Sequence, residues 1–385
     1  MIREGRYAAI DIGTVTCRML VADVRERPDG SIDLDQLTKE YAVTNLGEGV
    51  DKSRMLKPEA LQRVAAAIDG FLEELKKLNT PEHPVVQTLV MATSASRDAK
   101  NADEFVALLE ARGLNLHVIS GDTEALMSFI GASSAHSGES VMVVDVGGGS
   151  TEVSVGVAGS NPVASHSFDV GCRRVTERFW DGYPPSPEAV ARARKWIREQ
   201  LDGYAELWLY GTSIGREGIY PSPLASDCEI RGDYCPTDFL SCRIGLQGIP
   251  TRAPKESGQE FLIDGGRDQK VRMLAVAGTA TSAVSIREKM ETYDPDRVNG
   301  SVVTLSQLEA IEADLASKTL EGLQHVVGLD PRRGPVIVAG MIILEEVMRA
   351  ASVDSFIATE SDILEGMIMY NAGAGHTGKS QCDLQ

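Results

Sequence analysis

The apolar positions of this chain fall into β-type and helix-type runs, and the same order of runs occurs twice. Tyr7–Asp11 (YAAID) is a short β run ending in an acid; Ile-Gly-Thr follows, then a second run, Cys17–Val24. Val141–Asp145 (VMVVD) repeats this, with Val-Gly-Gly-Gly-Ser in the turn and Glu152–Val157 after it. Both pairs predict hairpins, with a glycine-containing turn between apolar strands. A third β run follows each: Glu40–Leu46 ending at Gly47, and Ala164–Val170 ending at Gly171. A helix comes next. In the first half Leu61, Val64, Ile68, Phe71, Leu75 and Leu78 recur at helical spacing behind Pro58; in the second, Pro187 opens a run through Val190, Trp196, Ile197 and Leu201. Each half then has a strand running into small hydroxyl residues, Thr88–Met91 into Ala-Thr-Ser-Ala and Met273–Ala277 into Gly-Thr-Ala-Thr.

Asp11 and Asp145 stand 134 positions apart, Pro58 and Pro187 129, Met91 and Val276 185. The jump locates an insertion of about 56 residues in the second copy, near 210–270, rich in Gly and Pro and without periodicity, as a long loop or lid would be. Beyond it, Ser306–Ser317, Val336–Met348 and a last segment with an N-cap expected at Ser361 read as helices. The Gly-rich tail after Tyr370 reads as frayed.

Composition narrows the possibilities. A chain of 385 residues, 43 % hydrophobic and 24 % charged, is ordinary for a globular protein of two or three domains. With 38 Lys+Arg against 56 Asp+Glu the net charge is −18, which disfavours nucleic acid and anionic membranes as partners. An anionic substrate would need local donors or a metal. No apolar run reaches the ~18 residues of a membrane span, and MIREGR leads into a strand without a signal-peptide pattern. The six scattered cysteines fit reduced thiols, so a cytoplasmic location is expected.

The strongest chemical signal is Asp145-Val-Gly-Gly-Gly-Ser-Thr-Glu152. Three glycines let a backbone approach a ligand and cradle an anion; Ser150 and Thr151 add hydroxyls; Asp145 and Glu152 are hard carboxylates suited to Mg²⁺. Asp11-Ile-Gly-Thr-Val-Thr16 is its weaker twin, and the two together suggest phosphate loops facing one cleft. Arg97, read as lying in the first turn of a helix continued by Ala102–Arg112, is either a phosphate ligand or a surface partner of Asp98 or Asp103. Glu124, opening the helix Ala125–Ala132, is either a base for a water or a first-turn acid favouring the helix dipole. Gly373–Ser380 fits the P-loop pattern, but too little chain follows to supply the helix that makes such a loop work. Cys228, Cys235 and Cys242 are spaced too widely for a usual zinc site.

In this order, these segments resemble the exopolyphosphatase / guanosine-pentaphosphate phosphohydrolase family of the actin-like superfamily, over about residues 7–370 apart from the insertion. The family pattern D-[IV]-G-G-G-S-T-E is complete at Asp145–Glu152, and A-T-x-A-x-R-x-A-x-N at Ala92–Asn101. Further matches are Gly171-Cys-Arg-Arg174, Gly278-Thr-Ala-Thr281, Ala339–Leu344, and Ser361-Asp-x-Leu-x-Glu-Gly366. The first loop departs from the usual D-x-G-S-N-S, because Val15 cannot supply the amide hydrogen bond of the Asn. The acidic pair usual before the helix is reduced to Thr123-Glu124. In length the chain resembles the short members without the C-terminal HD-type domain.

The resemblance implies an α/β fold of two actin-like (ribonuclease H-like) lobes, 1–130 and 131–385, with a cleft between them. It also implies hydrolysis of the terminal phosphoanhydride of inorganic polyphosphate, or of pppGpp to ppGpp as in the stringent response. Glu124 would activate the water and Arg97 neutralise transition-state charge. Asp145 and Glu152 would hold Mg²⁺ or Mn²⁺. Gly147, Gly148, Gly149, Ser150 and Thr151 would cradle the phosphate from one side, with Asp11, Gly13, Thr14 and Thr16 on the other. Arg174, Gly278 and Thr279 are candidate contacts for a nucleotide or a longer phosphate chain. A homodimer is allowed. The alternative of another class is a non-hydrolytic nucleotide sensor or chaperone-like ATPase on the same fold.

Overall fold

The structure, a computed structural model, describes residues 2–204, 207–208 and 271–373. The expected insertion with its three cysteines, and the tail with its P-loop-like match from 374 on, lie outside the described residues. The strands are β1 (Gly5–Ile12), β2 (Thr16–Glu26), β3 (Ile32–Val43), β4 (Val85–Ala92), β5 (Leu116–Val118), β6 (Ser140–Val146), β7 (Thr151–Val157), β8 (Ala164–Phe168), β9 (Arg272–Val276), β10 (Val302–Thr304) and β11 (Ser355–Ala358). The helices are α1 (Val50–Ser53), α2 (Pro58–Leu78), α3 (Ser94–Asp98), α4 (Ala102–Glu110), α5 (Gly121–Ser133), α6 (Cys172–Phe179) and α7 (Pro187–Leu201). After the insertion come α8 (Ala277–Arg287), α9 (Pro295–Val298), α10 (Leu305–Ala316), α11 (Leu320–Gln324), α12 (Gly334–Ala350) and α13 (Ile363–Gly373).

Among the described residues there are two mixed sheets, ordered β3-β2-β1-β4-β5 and β10-β11-β9-β6-β7-β8. The repeat is visible in the pairing: β1 runs antiparallel to β2 and parallel to β4, as β6 does to β7 and β9. Side chains alternate between faces along a strand. In β1, Ala8, Ile10 and Ile12 enter the core under α2 and α4, while Tyr7 and Ala9 meet Ile363, Leu364 and Met367 of α13. In β6, Met142, Val144 and Val146 face the core shared with α12, while Val141 and Val143 meet Phe129 and Ala132 of α5. By the same alternation Asp11 and Asp145 fall on the inner faces, toward α13 and α5.

Those two helices form the layer between the sheets and touch backbone to backbone. A Cβ on Gly131 would lie 1.8 Å from the Asp362 carbonyl oxygen, and one on Gly366 1.9 Å from that of Met127. Only glycine fits at either place. The last helix thus packs on the first sheet, and the 1–130 and 131–385 segments are tied together by a helix from each.

Two local expectations change. Arg97 is not in a helix continued by Ala102–Arg112, because Ala99 is extended and separates α3 from α4. The cap of the last helix is Asp362 rather than Ser361: Asp362 Oδ1 accepts the Leu364 N–H at 3.0 Å, and Glu365 Oε2 accepts the Asp362 N–H at 2.8 Å. A carboxylate caps as well as a hydroxyl, and Glu three residues on completes the reciprocal pair. No helix among the described residues is long and apolar enough to cross a membrane.

Candidate functional site

Each hairpin turn is closed by a glycine amide: Gly13 N–H donates to Thr16 O at 2.8 Å, and Gly147 N–H to Ser150 O at 3.0 Å. The turns face each other closely. A Cβ on Gly148 would meet Val15 Cγ2 at 2.6 Å and Thr14 Cβ at 2.8 Å; one on Gly149 would meet Ser94 Oγ at 2.4 Å. Val15, the departure in the first loop, is buried in the core cluster of the opposite lobe. Between the turns is a cavity of about 50 Å³, lined by Asp11, Gly13, Thr14, Thr16, Arg18, Glu124, Asp145, Gly147–Ser150, Gly278, Thr279 and Arg333, among others.

The acids converge for local reasons. Asp145 and Glu152 are direct partners across β6 and β7, both on the α5 face. Glu124 sits near the N-terminus of α5, whose first turn is fixed by Ser120 Oγ accepting the Thr123 N–H at 3.2 Å. Ser128, one turn further along, donates to Asp145 Oδ2 at 3.2 Å. Burial makes ionisation costly for all three acids. Glu124 is pushed up to about 7 against the pull of Arg97, and Asp145 to about 6 against that of Arg18. Glu152 is raised well above the carboxylate range by burial and by its neighbours Glu124 and Asp145. Its Oε1 accepts from Ser167 Oγ at 2.6 Å; its Oε2 is buried with no partner.

Four residues expected at the site, Arg97, Thr151, Glu152 and Arg174, do not line the cavity; Glu152 lies behind Asp145, its strand partner. Arg97 stands behind Glu124, its Nη1 donating to Glu124 Oε2 at 2.8 Å and to Ile119 O at 2.9 Å. The Thr151 hydroxyl is committed to the Val170 carbonyl at 2.5 Å, so it does not face a phosphate. Arg174 is buried and occupied. It donates to Asp51 and Asp98 at 2.7 Å each and to Gly149 O at 2.9 Å. With Arg178, also on Asp51, and Glu177, which accepts the Gly49 N–H at 3.0 Å, it clamps α6 to the first lobe.

Two cavity residues escaped sequence reasoning. Arg18 pairs with Asp11 at 2.7 Å and also with Asp362. Counting the hairpin register outward from its turn sets position 18 opposite position 11. Arg333 precedes α12, and its guanidinium occupies the space where a side chain on Gly278 would be, 1.9 Å from that Cβ position. It has no hydrogen-bond or ion-pair partner among the described residues, and burial lowers its pKa. Only the tertiary fold brings it there.

The model of the Ppx/GppA phosphatase family matches residues 21–216. The chain is 29 % identical over 371 residues to a bifunctional 3-dehydroquinate synthase/phosphatase of Fusobacterium nucleatum, covering 94 % of this chain but only 46 % of that relative's length. It is 29 % identical over 380 residues to exopolyphosphatase 2 of Mycobacterium tuberculosis, covering 96 % of this chain and 99 % of that one. Among solved structures, an exopolyphosphatase-like protein superimposes with a TM-score of 0.71 at 24 % identity, covering 95 % of this chain and 97 % of that one. The Ppx/GppA family member of Aquifex aeolicus does so at 0.66 and 21 %, covering 97 % and 100 %. They share with this chain the two-lobed, actin-like α/β fold. With the family model spanning more than half of its residues, this chain belongs to the Ppx/GppA phosphatase family.

Proposed function

We propose that this protein hydrolyses the terminal phosphoanhydride of inorganic polyphosphate, releasing orthophosphate. One observation carries the reading: Glu124 lines the same cavity as both glycine turns. A polyanion gripped there would present its last phosphorus to a water beside a carboxylate near pKa 7, a value suited to a base at neutral pH. Glu124 Oε2 is held by Arg97, which leaves Oε1 to take the proton of the attacking water. Arg97 is thus the residue that orients the base. The amides of Gly148, Gly149 and Ser150 and the hydroxyls of Thr14 and Thr16 would donate to the phosphate oxygens. Arg18 and Arg333 would offset charge that grows toward the transition state.

A divalent cation fits the donor set. Five carboxylates (Asp11, Glu124, Asp145, Glu152, Asp362) surround three guanidiniums (Arg18, Arg97, Arg333), an excess of two negative charges if all ionise. The orphaned Glu152 Oε2 is an acceptor without a donor. Among the described residues no three His, Cys, Asp or Glu side chains converge as a cage. Asp145 and Glu152, partners across β6 and β7, would hold Mg²⁺ or Mn²⁺, with water and substrate oxygens completing its shell. When bound, the ion would supply positive charge against the phosphate oxygens.

Phosphate release from polyphosphate, pppGpp and ATP, each with and without Mg²⁺, tests this. The expected order puts polyphosphate first and makes all release metal-dependent. Preferred release from pppGpp would assign the 5′-phosphohydrolase instead, and no release from any of the three would leave the nucleotide-sensor reading.

A further inference from the structure

The segment Ser361–Gly366 matches a family motif, yet the mechanism above gives it no task. Its side chains nevertheless reach the cleft. Asp362 divides its carboxylate: Oδ1 caps α13 through the Leu364 N–H, and Oδ2 pairs with Arg18 Nη1. Behind it, Glu365 Oε2 accepts the Asp362 N–H at 2.8 Å, and Glu365 Oε1 pairs with Lys39 Nζ at 2.9 Å. Lys39, from the middle of β3, also donates to the Glu360 carbonyl at 2.5 Å. Asp362 and Glu365 are 3 % and 8 % exposed, so this is a buried brace, not a surface pair.

A guanidinium has five N–H donors. In Arg18, Nε and Nη2 both bind Asp11 Oδ2, at 3.2 and 2.7 Å, and Nη1 binds Asp362. The remaining two belong to a side chain that lines the cavity. Asp11 grips one edge of the guanidinium through a single oxygen and leaves its plane free to swing. Asp362 supplies the second point that fixes it.

We propose that Asp362 is a positioning residue of this cleft: braced by Glu365 and Lys39, it sets the plane of Arg18 so that the spare N–H donors meet phosphate oxygens. This rests on the phosphoanhydride reading of the site. A helix cap alone would not need the arrangement, because Asn caps as well as Asp and requires no guanidinium partner. The Asp362→Asn substitution therefore separates the two roles.

In the full chain, Asp362→Asn is expected to leave Tm within a few degrees, while KM for polyphosphate rises about tenfold and kcat falls about 10–100-fold. Lys39→Met should give a smaller loss of kcat, recovered by Lys39→Arg. An unchanged kcat in Asp362→Asn overturns the proposal. Should that variant not fold, the Lys39 pair decides, and equal kcat for Lys39→Met and the wild type overturns it. If wild-type protein releases phosphate from none of the three substrates, the functional reading fails, and calorimetric titration with orthophosphate judges the brace by itself. Affinity at least tenfold weaker in Asp362→Asn supports it; equal affinity, or no binding by the wild type, sinks it.

Discussion

In the first hairpin Asp11 faces Arg18 across the strand pair; in the second, 134 residues later at both positions, Asp145 faces Glu152. The two turns share a plan, down to the glycine amide that closes each. Their charges differ. The first pair is an acid and a base that satisfy each other. The second is two acids that burial raises, with no counter-charge between them. One backbone device thus yields a self-neutralised half and a half that lacks positive charge, and the lacking half is where the proposed divalent cation and proton acceptor would act.

The largest effects should come from changes on the deficient side. Replacing Glu152 with Arg copies the first hairpin into the second; phosphate release at saturating Mg²⁺ is expected to fall about a thousandfold. Glu124→Gln, which removes the base both hairpins face, should lower kcat about 10²–10⁴-fold with substrate binding retained, measured by turnover and by calorimetry of a slow-reacting polyphosphate. Normal turnover in either variant would end the asymmetry argument.

Altering the satisfied side should affect stability as well as rate. Arg18→Met strands Asp11 and Asp362 in the interior, and chemical denaturation should show a loss of about 3–5 kcal/mol. A smaller effect is expected from pH. Glu124, Asp145 and Glu152 hold protons in the folded state that the unfolded chain gives up near 4.5 for the two Glu and 3.8 for the Asp. Without divalent ions, stability should therefore decline as pH rises from about 4.5 to 7, while turnover rises through about 7 as Glu124 ionises. Melting curves with and without Mg²⁺ check this, and Mg²⁺ should flatten the decline. The smallest change is at the clamp of α6 on the first lobe. Asp51→Asn removes the shared partner of Arg174 and Arg178 and should shift kcat/KM less than tenfold, while weakening its salt dependence.

Alternation and spacing made much of this readable in advance. The β runs of residues 7–24 and 141–157, the offset of 134 and the helix behind Pro58 all follow from local periodicity, and so do the acids at the two turns. What stayed hidden depends on the third dimension. Arg333 reaches the cavity from a short 3-10 turn, Pro331–Arg333, that leads into α12, and no pattern near it signals a ligand. Arg174 looks like a substrate contact in sequence because the carboxylates that occupy it, Asp51 and Asp98, are more than seventy residues away. The commitment of Thr151 to Val170 is likewise a matter of β8 lying alongside β7.

The glycine contact between α5 and α13 bears on how a cavity of about 50 Å³ could admit a chain of phosphates. Two rods with no side chains between them at their crossing behave like the rivet of a pair of scissors. The crossing is made by Met127 and Gly131 on one rod and Asp362 and Gly366 on the other, so Glu124 lies three residues from it and Asp362 within it. Any opening of the cleft that pivoted at this crossing would move Glu124 and Asp362 least, and would leave their side chains in register while the rest of the cleft widened.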